Sequence, residues 1–208
     1  MLFHKIALGL AVGSLALASQ NASALSLNAG ATQHGYTGEF RQSLLPFFTL
    51  SAGYFESSPD GFHEHNSQYR KEHGDTKDQA YSGALMFSPF VPGLDLAVGV
   101  RYQYQDTQYG KGTAVSLGGS AFVETPIPRT DIGGYGYYTP KGWSNGDIHT
   151  SEEYGAQMRF HLIGETYVYG GYRVFRTDFL DRNGQVVDNG KNRHTLDRGP
   201  MVGLSVGF

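Results

Sequence analysis

Glu153, Gln157, Arg159 and His161 fall on one parity of the segment 153–162. An acid, a base and an imidazole on one face are where chemistry is sought first. Asp95, Arg101 and Gln103 share one parity of 94–105, and Glu124 and Arg173 lie in segments of the same kind. Glu39 and Arg41 lie in 37–44, whose facing is ambiguous. If these segments enclose a common interior, the set has two uses. A charge-lined path would select small solutes. A plug would pair the charges across a narrow bore, and the near balance of acids and bases favours this, because an unpaired charge there is costly.

A hydrolase is a third use of His161 and Glu153. Acyl transfer needs a nucleophile within hydrogen-bond reach of the base, and no serine is placed for it. No catalytic residue is assigned, and the chain reads as a non-enzyme. The segment 57–78 holds His63, His65 and His73 among Glu64, Glu72 and Asp75. Imidazole and carboxylate suit zinc or copper, but no rigid spacing is present, so the three histidines are a weak metal site and no cofactor is expected. Arg70, Lys71 and Lys77 in the same segment suit lipopolysaccharide phosphates. Asp181 to Gly184 and Asp188 to Gly190 lack the ordered ligands of a calcium loop, and their Asn-Gly pairs read as turns.

The elements that must position these residues follow from period two. Leu94, Leu96, Val98, Val100, Tyr102 and Tyr104 alternate with Asp95, Ala97, Gly99, Arg101, Gln103 and Gln105. Segment 153–162 and the terminal Val202, Leu204, Val206 and Phe208 do the same. A helix, with its period of 3.6, would mix the two sets. Weaker versions recur at 25–31, 48–54, 81–87, 115–123 and 166–176; with 37–44 and 131–138 they make ten strands. Eight remain possible if 25–44 does not form two full strands.

Connections at 45–46, 91–93, 126–129 and 163–165 read as short. Those at 57–78, 139–150 and 180–197 read as long, and 33–37 and 106–112 as intermediate. Short ones alternate with the others along the chain. An antiparallel meander therefore gathers every short turn at one end, as transmembrane barrels do.

On the apolar face, Tyr54, Tyr81, Tyr102, Tyr104, Tyr138, Tyr154 and Tyr172 lie toward the long-loop ends. Phe48, Phe87, Phe160 and Phe208 lie toward the short-turn ends. Two aromatic girdles are expected at two membrane interfaces. The apolar set is too bulky for a small barrel's interior, and the opposite set mixes charges with Gly and Ser, which suits a polar lumen. A terminal Phe208 on an alternating strand is a handle for barrel-assembly machinery. The fold expected is thus all-β, a single closed up-and-down transmembrane β-barrel. A soluble periplasmic ligand-binding barrel is the rival, and a membrane-embedded hydrolase a more distant one.

Composition agrees. The chain has 208 residues, 29 of them Gly, 14 Tyr and 13 Phe, which suits curved, closely approaching strands. Lys5, the apolar run Ile6 to Ala18 and the small-x-small site Ala22-Ser23-Ala24 have the order of a signal peptide over 1–24, leaving the barrel to 25–208. Export through the Sec pathway to the outer membrane of a Gram-negative bacterium is expected. Without Lys5 the balance is 15 basic to 19 acidic residues, and no basic stripe suggests nucleic acid. No cysteine is present, which excludes disulfides, thiol chemistry and a lipid-modified N-terminal cysteine.

LSLNAGATQHGY at 25–36, GYGYYTP at 134–140, EEYGAQMRFHL at 152–162, YVYGGYRVF at 167–175 and GPMVGLSVGF at 199–208 resemble the YfaZ family of Gram-negative outer-membrane proteins. The resemblance covers most of the chain after residue 24 and is strongest after 112. It implies a small barrel in the outer membrane, in contact with its lipid and lipopolysaccharide. It implies little about activity. A structural or surface role, or a weak porin-like one, is the function expected.

Overall fold

The computed structural model describes residues 25–57, 77–180 and 193–208. The signal-peptide segment, the three loop histidines, Arg70, Lys71 and the Asn-Gly turns at 183–190 lie outside the described residues.

The order is β1 (Leu25–Thr32), β2 (Gly35–Leu45), β3 (Phe48–Ser57), β4 (Asp78–Phe87), β5 (Phe90–Val91), β6 (Leu94–Thr107), β7 (Gly110–Glu124), β8 (Thr130–Thr139), β9 (Ser144–Gly146), β10 (Ile148–Ile163), β11 (Thr166–Phe179) and β12 (Arg193–Gly207). β5 and β9 are fragments of two and three residues on the flanks of β6 and β7. The other ten strands pair antiparallel with their neighbours around a ring. β1 closes it against β12, with Leu27 opposite Val206 and Ala31 opposite Val202. Leu25 and Phe208 finish the seam with amide bonds of 2.8 and 3.3 Å. Both β1 and β2 are full members, so the count is ten.

Ten strands leave no unpaired edge, and every residue step crosses from outside to inside. The outside carries the apolar set. Val98, Val100, Leu117, Ile132, Met158 and Leu204 are exposed, and the Tyr and Phe girdles flank them. Among the described residues 32 large apolar or aromatic side chains are exposed, while buried polar or charged residues outnumber buried hydrophobic ones, 18 to 13. Each such side chain left in water forgoes about 1.5–3 kcal/mol. An outer face with exposed apolar side chains on all ten strands is far larger than the patches that a soluble monomer shows to water. The facing therefore corrects the soluble-barrel alternative: this is a transmembrane-type barrel with a polar interior.

Two connections differ from the sequence reading. Those at 33–37 and 106–112 are tight, spanning only residues 33–34 and 108–109. One hydroxyl explains each. Thr32 Oγ1 accepts the Gly35 amide at 3.0 Å. Thr107 Oγ1 accepts the Tyr109 and Gly110 amides at 3.2 Å and donates to the Gly110 carbonyl at 2.8 Å. A Thr that bonds its own turn lets both strands run to the bend. The long connections are thus three: 58–77, 140–147 and 180–192.

Abundant glycine fits the interior. Tyr169 on β11 lies flat across β1 and β12, donating from its hydroxyl to Asn28 at 2.9 Å. A Cβ at Gly30 or Gly203 would come within 2.4 or 2.3 Å of that side chain. Tyr137 covers Gly118 and Phe122 covers Gly133 in the same way. Inward aromatics fill the bore because the wall beside them has no side chain.

Candidate functional site

The inward face of the ten strands is the candidate site, and it changes along the axis. Toward the long connections it is packed. Phe55, Ala80, Phe175 and Leu196 form a buried cluster, with Tyr109 from the β6–β7 turn against it. Tyr109 also packs on Ala114, Ile148 and Phe179 and stacks on His194 at 3.6 Å. Phe55 meets Phe175 edge-on at 5.5 Å. Beside it lies a buried amide and hydroxyl layer, with Gln105 in register with Ala80 and Ser151 with Thr177. Gln103 and Gln105 donate to Ser151 Oγ at 3.0 and 3.2 Å, and Thr177 donates to Gln105 at 3.0 Å. Gln105 has no exposed surface. The buried amides have hydrogen-bond partners, so the layer avoids the penalty of an unsatisfied polar group.

The charged residues come next. Glu153 on β10 faces across the bore and holds two arginines, Arg101 at 2.7 Å and Arg173 at 3.0 Å. Arg173 also lies 3.6 Å from Asp197, a fully buried carboxylate that accepts a bond from Thr32 at 3.0 Å. Each guanidinium also sits on an aromatic face. Arg101 lies 3.9 Å from the Tyr137 centroid, Arg173 4.4 Å from that of Phe55, and Arg159 3.2 Å from that of Phe122. Such stacking supplies the part of the solvation that the carboxylates do not.

Toward the short turns the bore widens into a cavity of about 450 Å³. Arg41 pairs with Glu39 at 2.7 Å, two residues away on the same face of β2. Arg159 pairs with Asp95 at 2.9 Å. His161 Nε2 lies 2.7 Å from Asp131, and its ring is 5.4 Å from that of Tyr167. The side chain of Asp95 is 61% exposed, so water reaches this end.

The eleven residues read from the sequence as lumen-lining therefore face inward, with one qualification. Glu124 follows the inward parity of Phe122 but lies exposed at the short-turn rim, opposite Asp131. Gln157 lies deeper, against Met201 Sδ at 3.8 Å. His161 meets an aspartate and a tyrosine, neither of which is a serine nucleophile. Glu153 belongs to the arginine cluster, a separate group from His161.

The girdle residues lie on the outward face. Tyr54 is half-buried, packed between Tyr36 and Tyr81 at 6.2 and 5.1 Å and bonded to Glu56. Tyr36 is a girdle member that the sequence did not single out. Lys77 bonds the same Glu56; that hydrogen bond, and then the carboxylate's charge, hold its ammonium above the usual lysine range.

Inward residues missed in the sequence are Asp197, Asp131, Tyr135, Tyr137, Tyr167 and Tyr169. Tyr167 and Tyr169 carried a signal, since they share the parity of Arg173, opposite Tyr172, whereas Tyr135 and Tyr137 lay in a segment of ambiguous facing. Asp197 carried none, because it was read as part of a loop.

A family profile described as YfaZ precursor matches residues 66–208. The chain belongs to the YfaZ family. The family match spans β4 to β12 and with them most of the lumen residues above. No curated protein matches the chain. Among solved structures it is similar to a major outer membrane protein from Thermus thermophilus, at 13% identity over 90% of this chain and 100% of that one, with a TM-score of 0.42. It is similar also to CarO2 of Acinetobacter baumannii, at 14% identity over 89% and 98%, with a TM-score of 0.34.

Proposed function

We propose that this YfaZ-family barrel is a resident of the outer membrane whose lumen is closed, so that its work is done by its walls and loops. The observation that carries this is the fully buried layer of Phe175, Gln105 and Thr177 across the bore. Fully buried side chains, Gln105 and Thr177 bonded to each other and Phe175 packed beside them, obstruct a hydrated solute. The strand ends at Ser57, Thr139 and Phe179 face the exterior, and the 450 Å³ cavity opens to the periplasm. Lipopolysaccharide surrounds the tyrosine girdle, where the Lys77 side chain, paired with Glu56, reaches the surface. Phe208, exposed beside the β1–β12 seam, is the handle for assembly machinery. The chain reaches the membrane through the Sec pathway, and no catalytic role is assigned to the lumen.

The test is current across a planar bilayer holding the purified barrel. No steady conductance is expected from the wild type. Phe175→Ala, which removes the largest side chain of the seal, is expected to add brief openings. Steady wild-type conductance would replace this reading with that of a narrow porin.

A further inference from the structure

Between the seal and the wide end lies a second cavity of about 130 Å³. That is far above the roughly 10–15 Å³ needed for one water. Its wall carries four guanidiniums, Arg41, Arg101, Arg159 and Arg173, and two carboxylates, Glu39 and Glu153. Two further carboxylates act from beyond the wall: Asp95 on Arg159 from the wide end, and Asp197 on Arg173 from the sealed side. Formal charge is then balanced, but hydrogen-bonding capacity is not. A guanidinium has five N–H donors and no acceptor. The Nε of Arg101, Arg159 and Arg173 is sealed within the wall, so the donors that these side chains can offer the cavity are their terminal N–H groups. The side chains of Arg159 and Arg173 are only 8% and 6% exposed. Asp197 Oδ2 is likewise sealed, but Asp197 is outside the wall.

We infer that this cavity is a binding site for a small oxyanion of the phosphate or sulfate class, entered from the wide, periplasmic end of the lumen. A tetrahedral oxyanion brings several acceptors at once, which suits four guanidiniums around one cavity. The two cavities adjoin: Glu39, Arg41, Ser51, Ser120, Tyr137 and Arg159 line both, and these side chains are what an entering anion passes. The seal beyond Glu153 makes the site a dead end, so the anion is held rather than passed on.

The probe is inorganic phosphate, titrated calorimetrically into the purified barrel in detergent at constant ionic strength set by chloride. Folding of each variant is checked by heat-modifiable gel migration. Saturable binding of one phosphate per chain is expected. Arg101→Gln removes donors and is expected to weaken it about tenfold or more. Glu39→Gln leaves the donors, releases Arg41 and is expected to tighten it. Opposite signs separate a site from damage to the barrel, which would weaken both. If Arg101→Gln does not fold, Glu39→Gln and competition of sulfate against phosphate in the wild type decide. No saturable heat in the wild type would overturn the inference, and the guanidinium donors would then be met by water. Affinity unchanged by either substitution would overturn it as well, placing the phosphate on surface lysines.

Discussion

The two halves of the lumen are built by the same ten strands and the same alternation, yet they solve opposite problems. Toward the long connections the inward residues are aromatic, aliphatic, amide or hydroxyl, with the buried carboxylate of Asp197 among them, and they exclude water. Toward the short turns they are arginines, acids and a histidine around open space. The dry half needs every polar group bonded within the protein, and Gln103, Gln105, Ser151 and Thr177 meet that need. The wet half can leave Asp95 and Glu124 in water and so tolerates looser pairing. Glu153 sits on the boundary between them. The difference teaches that charge in a small barrel is no sign of a pore; what decides is whether the groups meet each other or the solvent.

The largest test of that boundary is Glu153→Ala. It strips Arg101 and Arg173 of their shared carboxylate in a buried place, and a loss of about 3–5 kcal/mol is expected. Urea unfolding in lipid vesicles measures it. A loss under about 1 kcal/mol, the scale of exposed pairs, would mean that water already reaches Glu153. Next comes Phe175→Ala in the dry half, at about 3 kcal/mol in the same assay. Equal cost at Phe122, which lies in the wetter half against Arg159, would erase the contrast. Smallest is Asp131→Asn at the wide mouth, expected to cost under about 1 kcal/mol because water can replace the lost charge. A larger cost would make the His161 pair part of the fold's support.

Much of this was legible in the sequence, for a physical reason. A closed sheet in lipid forces strict alternation, so Val100 and Arg101 announce their sides without knowledge of their partners. The ion set of the lumen was legible on the same ground. The pairings were not. Nothing local says that Glu153 meets Arg101 and Arg173 rather than His161, because that depends on register between strands far apart in the chain. Tyr135 and Tyr137 stayed ambiguous because tyrosine is at home both in a girdle and over a glycine wall. The tight turns after Thr32 and Thr107 looked longer than they are, since polar residues there read as loop although each threonine bonds its own bend.

The seam between Leu25 and Phe208 carries one more consequence. The first strand finds its second neighbour only when the last has been made, so the pairing most distant along the chain completes the ring. Until then two raw borders of amides and carbonyls stand open, and any stray strand can zip onto them. Such remote closure is slow. Folding of this barrel is therefore expected to be all-or-none in its final step, and a chain that lost β12 would be a template for aggregation rather than a smaller barrel.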